Sequence, residues 1–163
     1  MKSINFNTGI KKYAVNGDEN NAISINVSDL NLYKRIMEAE TAFDPFFERL
    51  DREENTPELL FEVDKAVKEK LDSIFGANVS EKAFGDTNCL STLEDGNLLL
   101  MAFLEAFIPM VLEDVNKAQQ SFNENKDIKF SKYLPKEEKK PTPDLSKLTH
   151  EQLAYLASIG MNT

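Results

Sequence analysis

Histidine and cysteine, on which many nucleophilic active sites depend, are scarce in this sequence of 163 residues. Cys89 is the only cysteine and His150 the only histidine. A hydrolase of the Ser/His/Asp or Cys/His kind needs the histidine as its base, yet neither Ser91 nor Cys89 lies in a nucleophile-elbow or cysteine-protease motif. His150 stands at the start of an apolar helical pattern, where a polar residue is ordinary. The sequence therefore predicts no catalytic residue and a protein that is not an enzyme.

Patterns for cofactor and metal binding are also missing. Glycines that cradle a phosphate are closely spaced, whereas Gly76, Gly85 and Gly96 are far apart and are typical of helix ends and turns. Acidic residues crowd positions 44–64 without the alternating ligands and the glycine of a calcium-binding loop. We expect no cofactor and no metal, and interpret the acidic residues as a solvated face. Two alternatives are a face that receives a basic protein segment and a mimic of DNA.

The charge of the chain excludes two classes of partner. Asp and Glu number 28 against 19 Lys and Arg, which gives a net charge of −9. Nucleic acids and anionic membranes attract basic proteins, so we expect neither nucleic acid nor a membrane as a partner. Most of the charge is local, because positions 38–72 hold twelve acidic residues and five basic ones. A hydrophobic content of 41% is enough for an ordinary core.

No segment has the pattern of a targeting signal or a membrane span. The first seven residues become polar too soon for a signal peptide, and a lone cysteine allows no intrachain disulfide. The longest apolar stretch, residues 98–112, is shorter than the roughly 20 residues that a bilayer needs and contains Glu105 and Pro109. We therefore expect a cytosolic protein with a buried helix at this position.

The first 27 residues have the period of two that is typical of β-strands. Apolar and polar residues alternate in three runs, which contain Ile4 and Phe6, then Tyr13 and Val15, then Ile23, Ile25 and Val27. Asn16-Gly17 favours a tight turn, although residues 18–21 predict a loop longer than a minimal hairpin. We therefore expect a small antiparallel hairpin or sheet over residues 1–27.

From residue 28 the apolar spacing becomes helical. Ser28 or Asp29 can cap a first helix, which we expect to kink or restart near Pro45. Thr56-Pro57 is a typical start for a second helix, and Gly76 a typical end. Ser80 can cap a short helical turn that Gly85 ends.

The most apolar element is a helix predicted over residues 97–123, after a turn at Asp95-Gly96. Its first half is apolar nearly all the way round, so it must be covered on most sides. It is therefore either the central core helix or part of a subunit interface.

The C-terminal part changes in composition. Residues 129–146 are rich in Lys and Pro and predict a flexible linker. Residues 147–163 predict a short helix, with Thr149 and Gln152 at capping-box spacing and Gly160 as its end. The predicted fold class is α+β: an N-terminal antiparallel hairpin (1–27) and a helical bundle (28–128) in one globular domain (1–128), then the linker and the helix.

Aromatic and apolar side chains are the candidates for partner binding. We expect most phenylalanines in the core, including Phe61. Phe46 and Phe47 are neighbours that cannot face the same way on a helix, so we expect one of them to be exposed or interfacial. The short C-terminal helix needs a surface to dock on, because it is marginal in water alone. The candidate partner-binding residues are Phe46, Phe47, Phe103, Phe107, Met110, Leu153 and Leu156.

Three segments carry a resemblance to a known group of proteins. They are residues 71–76 (Leu-Asp-Ser-Ile-Phe-Gly), 79–85 (Val-Ser-Glu-Lys-Ala-Phe-Gly) and 103–107 (Phe-Leu-Glu-Ala-Phe). An acidic helix that ends in Asp-x-x-Phe-Gly, a short turn that ends in Phe-Gly and a long helix follow one another. In this pattern, over about a third of the chain, the sequence resembles an uncharacterised family of tail-region proteins from phages and prophages of Gram-positive bacteria.

The resemblance implies a non-enzymatic role in tail morphogenesis. It most directly suggests a small assembly chaperone or adaptor that binds another tail protein, such as the tape measure, in the host cytoplasm. Members of that functional class are small, largely helical and able to self-associate, so the implied partners are a tail protein or a second copy in a homo-oligomer. The alternatives are a structural tail or baseplate subunit of the virion and a small acidic inhibitor of a host defence protein.

Overall fold

A computed structural model describes residues 1–76, 78–127, 129–136 and 149–160, without the side chains of Leu156 and Ile159. A two-stranded antiparallel sheet comes first and helices follow, which confirms the predicted α+β class. The chain divides into two units, Met1–Lys126 and Asp127–Thr163, and each is described by itself. Most of the predicted linker, residues 137–146, lies outside the described residues.

The sheet is a hairpin of β1 (Ile10–Val15) and β2 (Asp18–Asn26). Asn16 and Gly17 form its two-residue turn with φ of 50° and 79°, and both positive values suit the right-handed twist of the strands. The expected longer loop was wrong, because β2 begins directly at Asp18. The register shifts after Ala14, so the residues expected in a loop form an irregular part of the strand instead.

Residues 1–9 are not a strand, which corrects the expectation from Ile4 and Phe6. Alternation produces a strand only where a partner strand supplies hydrogen bonds. The register pairs Ile10 with Asn26, and β2 ends at Asn26. The preceding residues therefore have no strand beside them.

The first two helices confirm the predicted cap and restart. The α1 helix (Leu30–Glu38) begins where the Asp29 carboxylate accepts a hydrogen bond from the Asn31 N–H. The α2 helix (Asp44–Arg52) begins anew with Pro45 in its first turn, where a missing N–H costs nothing.

The third helix also has the predicted ends. The Thr56 hydroxyl caps α3 (Pro57–Phe75), and Gly76 ends it with a φ of 70°. The short α4 helix (Val79–Phe84) follows, and Gly85 ends it.

The cap of α4 differs from the expectation. Ser80 lies inside α4, donating its N–H to Asp72 Oδ1 at 2.8 Å and its hydroxyl to Asp72 Oδ2 at 2.7 Å. A carboxylate from the end of α3 thus satisfies the free N–H of the α4 N-terminus, where anionic groups are favoured. Asp72 is therefore the capping residue of α4, and Ser80 donates hydrogen bonds to it.

The long α5 helix (Leu99–Asn125) contains Pro109 and completes the first unit. The second unit contains a 3-10 helix (Phe130–Tyr133) and α6 (His150–Gly160). At the start of α6, Thr149 and Gln152 exchange hydrogen bonds, which confirms the predicted capping box.

The core of the first unit joins the hairpin, α3 and α5. Its fully buried side chains come from these three elements and also from α1, α4 and the loop before α5: Ile25, Leu32, Val63, Val67, Leu71, Val79, Cys89, Leu100, Val111 and Val115. Phe75, Phe84 and Phe107 are buried, as expected, whereas Phe61 is exposed. Phe61 lies off the i, i+4 stripe of α3 that faces the core, so its prediction as a core residue was wrong.

The buried Asp64 carboxylate anchors the loop before α5 through hydrogen bonds. Asp64 Oδ1 accepts the Cys89 N–H at 2.8 Å, and Asp64 Oδ2 accepts from Lys68 Nζ at 3.1 Å. Lys68 Nζ also donates to the Thr87 carbonyl at 2.8 Å, and the Leu100 N–H donates to the Cys89 carbonyl at 2.8 Å. Burial, with the neighbouring Asp64 carboxylate, raises the pKa of the Cys89 thiol to about 12. The start of α5 is thereby tied to α3.

Candidate functional site

The first half of α5 presents more apolar surface than the described residues of the first unit cover. One stripe, Leu100, Phe107, Val111 and Val115, is buried in the core. On either side of this stripe the apolar side chains are half-buried or exposed, and Met101 and Met110 reach solvent. The sequence predicted that this helix needs cover on most sides. In the structure, its incompletely covered apolar side chains line two clefts that border α5.

One cleft, the hairpin cleft, lies between α5 and the β-hairpin and has a volume of about 330 Å³. Its lining is apolar except for Asn16. The lining residues are Tyr13, Ala14, Val15, Asn16 and Ile23 from the hairpin, Ala83 and Leu93, and Leu99, Ala102, Phe103, Ala106, Phe107 and Met110 from α5 and its start.

Aromatic contacts build the floor of the hairpin cleft. The Phe103 ring stacks on Phe107 at a centroid distance of 4.8 Å, and Phe84 meets Phe103 edge-on at 5.4 Å. Tyr13 meets Phe107 edge-on at 5.8 Å, which joins the hairpin to the helix. These are the offset and edge-to-face arrangements that aromatic pairs prefer, so the floor is already formed.

Tyr13 also fixes the hairpin by a polar contact. Its hydroxyl donates to Asp114 Oδ2 at 2.7 Å. Burial and this hydrogen bond to a carboxylate raise the pKa of the Tyr13 phenol, because the phenolate would be both desolvated and repelled. The phenol stays protonated and continues to donate at neutral pH.

The other cleft, the helical cleft, lies on the opposite side of the buried stripe of α5 and has a volume of about 390 Å³. Glu40 is the only charged residue in its lining. Its other lining residues are Ile36, Met37, Ala39 and Phe43 from α1 and the following turn, Ile74 and Phe75 from α3, and Leu104, Ile108 and Leu112 from α5. Arg35 Nε donates to the Ile74 carbonyl at 2.8 Å, which ties α1 to the end of α3 beside this cleft.

Three of the predicted binding residues come together at one cleft. Phe103, Phe107 and Met110 all line the hairpin cleft, although Phe107 is buried and Met110 is exposed at the edge. Leu153 lies in α6 of the second unit and is exposed. The side chain of Leu156 lies outside the described residues.

Phe46 and Phe47 line neither of the two clefts. Both are half-buried and pack against the core, so neither is fully exposed, and the alternative that one of them is interfacial stays a prediction. The Phe46 ring also contacts the Phe43 ring at a centroid distance of 6.5 Å, and this contact covers part of the Phe46 side chain. Their role in partner binding stays a prediction.

The residues that face α5 across the clefts could not be identified from the sequence. Tyr13 and Val15 were assigned to a strand by their alternation, and that same alternation places them on one face of the hairpin. Met37 was assigned to the apolar stripe of α1. These sequence patterns show which residues share one face of a strand or helix. Which helix that face packs against depends on the tertiary fold.

The chemical capacity of the clefts is the burial of apolar surface. Within the described ranges, no three His, Cys, Asp or Glu side chains are grouped so that they could hold a metal ion. Among the helices described, none combines the length and the hydropathy needed to cross a membrane.

Comparisons of the chain with family models, with curated proteins and with solved structures found no match.

Proposed function

We propose that this protein is a non-enzymatic assembly chaperone or adaptor of phage tail morphogenesis. It binds an apolar helical segment of another tail protein, such as the tape measure, in the hairpin cleft. The observation that carries this proposal is the cleft itself, which is apolar, preformed and left open by the described residues of the first unit. A site of this kind gains binding free energy by removing apolar surface from water.

The spacing of the α5 side chains favours a helix as the occupant. Leu99, Phe103, Ala106 and Met110 line the cleft at successive intervals of four, three and four residues. This is the spacing of the side chains that a second helix packs against in a two-helix contact. The small Ala106 between larger neighbours leaves a hole for a side chain of the incoming helix.

Met110 has a large exposed apolar surface that the contact would bury. Its side chain is 50% exposed at the edge of the cleft, and a methionine adapts to irregular apolar surfaces. Phe103 beside it supplies a rigid aromatic face. Large, well-positioned side chains of this kind dominate the free energy of protein interfaces.

The assignment to tail morphogenesis rests on the resemblance of residues 71–76, 79–85 and 103–107 to phage tail-region proteins. One of these segments, residues 103–107, contributes Phe103, Ala106 and Phe107 to the hairpin cleft. The acidic residues of α2 and α3 add charge selection, because they attract basic partner segments and repel acidic ones.

The test is co-expression of the protein with the products of the genes on either side of its own. We expect a tail protein to copurify with the wild type and to be lost with Met110→Asp, because a carboxylate buried in an apolar contact lowers the affinity by about a hundredfold or more. The matched control is Met37→Asp, since Met37 is 59% exposed and lines the helical cleft instead. We expect this control to retain the tail protein.

Two results would contradict the proposal. One is that no tail protein copurifies, or that Met110→Asp binds it as well as the wild type does. The other is the presence of the protein in purified phage particles at the level of a structural subunit, as judged by mass spectrometry. A chaperone is expected to be absent from those particles.

A further inference from the structure

The most exposed apolar side chains with a regular spacing lie in the N-terminal arm, defined as residues 1–8. Ile4 is 86% exposed and Phe6 76% exposed, and the residues between and beside them are polar. Residues two apart lie on the same side of an extended chain, so these two side chains form one apolar edge when the arm is extended. The protein's own first unit covers neither of them.

The arm begins at a fixed point on the body. Gly9 has a φ of 78°, and a Cβ atom at this position would lie 2.4 Å from Ser28 Oγ. The backbone therefore passes against Ser28 in a conformation that a glycine adopts without strain. The Gly9 N–H also donates to Asn7 Oδ1 at 2.9 Å, which closes a turn at the base of the arm. A fixed base with exposed apolar residues beyond it is the arrangement of a segment that binds elsewhere.

The charge of the arm is opposite to that of the body. The arm, residues 1–8, contains Lys2 and no Asp or Glu, so the remainder of the chain carries all 28 acidic residues. The helical cleft has Glu40 in an otherwise apolar lining. An apolar edge with a lysine beside it thus complements an apolar cleft with a glutamate beside it.

The dimensions of the arm and the cleft also agree. Leu104, Ile108 and Leu112 line the helical cleft at intervals of four residues, which corresponds to about 6 Å along a helix. Residues two apart in an extended chain, such as Ile4 and Phe6, are about 6.6 Å apart. The two apolar side chains of the arm can therefore enter successive gaps between the side chains of α5.

We propose that the arm of one copy of this protein binds the helical cleft of a second copy, with Ile4 and Phe6 against α5 and Lys2 near Glu40. Ile4 and Phe6 are exposed among the described residues, and the charge and spacing given above favour the cleft of a second copy as the surface that covers them. Each copy has one arm and one helical cleft, and mutual exchange between two copies covers both arms. The proposal uses the helical cleft alone and is independent of partner binding in the hairpin cleft.

The first test is the dissociation constant of self-association, measured by analytical ultracentrifugation. We expect the wild type to self-associate and Phe6→Ser to raise the dissociation constant by at least about tenfold, since burial of one phenylalanine side chain is lost. The matched control is Phe130→Ser, because Phe130 is also 76% exposed but lies in the second unit. A wild type that stays monomeric at every concentration, or equal effects of the two substitutions, would overturn the proposal.

The second test locates the contact by disulfide formation between differently labelled chains. One chain carries Ile4→Cys and the other Met37→Cys, and we expect a disulfide-linked heterodimer when they are mixed. The control partner is Phe61→Cys, since Phe61 is 67% exposed and outside the helical cleft. Equal linkage to both partners would overturn the proposal. So would a disulfide that forms within one chain carrying both cysteines but never between mixed chains, because the arm would then bind its own cleft.

A charge exchange tests the polar part of the contact. We expect Lys2→Glu to weaken self-association and the double variant Lys2→Glu with Glu40→Lys to restore it. Restoration separates a direct contact from a general effect of net charge, because the double variant has the net charge of the wild type. Additive losses from the two substitutions would refute the placement of Lys2 near Glu40.

Discussion

Substitution of Asp64 by alanine is expected to destabilise the protein more than loss of any exposed carboxylate of the same helix. Asp64 is only 8% exposed, and its two oxygens accept the Cys89 N–H and the Lys68 ammonium. Alanine leaves the Cys89 N–H without a partner in the core, and a buried unsatisfied group of this kind costs about 1–3 kcal/mol.

Lys68 adds to the cost of this substitution. Removal of one partner of a buried ion pair costs about 3–5 kcal/mol when the other charge stays desolvated. The Lys68 side chain is 18% exposed and keeps its hydrogen bond to the Thr87 carbonyl, so its share is well below that range. We therefore expect Asp64→Ala to lower the free energy of unfolding by about 3 kcal/mol in total. This is a large fraction of the stability of an ordinary domain.

Urea denaturation followed by circular dichroism measures this loss as a shift of the midpoint at an unchanged m-value. The control is Glu62→Ala, since Glu62 is also in α3 but pairs with Arg49 in solvent, with 59% of its side chain exposed. We expect this control to cost less than about 0.5 kcal/mol. Asp64→Asn, which keeps an acceptor for the Cys89 N–H, is expected to lie between the two. A loss below about 1 kcal/mol for Asp64→Ala, or one equal to that of Glu62→Ala, would refute the reasoning.

Two further predictions concern the hairpin and the core. Gly9→Ala is expected to cost at least about 1 kcal/mol more than Gly17→Ala in a urea titration, because both glycines have a left-handed φ but only the Cβ at Gly9 meets Ser28; equal losses would contradict the packing at Gly9. The free energy of unfolding is expected to fall as the pH rises from 9 towards 12, since the unfolded chain releases the Cys89 thiol proton near pH 9.0 while the folded chain keeps it to about 12. The raised pKa of Tyr13 acts in the same direction. Cys89→Ala should make the decline shallower by up to about 1.4 kcal/mol per pH unit, and a profile parallel to that of the wild type would show that the thiol does not contribute.

The ends of the helices could be predicted because their causes are local. Asp29, Thr56-Pro57 and Gly76 act on backbone groups within three or four residues, so the sequence contains the whole interaction. The cap of α4 could not be predicted in the same way. Its acceptor, Asp72, belongs to the preceding helix, and the chain reverses at Gly76 before the two meet.

The exposure of one aromatic residue could likewise be predicted from local sequence, whereas the burial of two others could not. The position of Phe61 outside the α3 stripe follows from the helical period, so the sequence contained the signal that it faces solvent. The cover over Phe46 and Phe47 comes from the packing of α2 on the core, which no local pattern specifies.

The two clefts could be predicted only in part. The excess of apolar residues in α5 indicated that cover was needed, and Phe103, Phe107 and Met110 were identified from it. Most of the residues that face α5 across the clefts come from positions 13–23 and 36–43, far away in the sequence. Their placement depends on how the hairpin and α1 pack, which is a property of the whole fold.

The anchoring of α5 determines which wall of the hairpin cleft can move. The Leu99 and Leu100 N–H groups donate to the carbonyls of Ser91 and Cys89, and Asp64 holds Cys89 in turn. In the part of the chain that the structure describes, the side chains of the hairpin donate two hydrogen bonds to the helices, from Tyr13 to Asp114 and from Asn21 to the Lys82 carbonyl. We therefore expect α5 to be the firmer wall of the cleft, because backbone hydrogen bonds as well as packing hold its first turn. Amide hydrogen exchange near Val15 would then be fast and partner-dependent, whereas the Leu100 amide would exchange only with global unfolding.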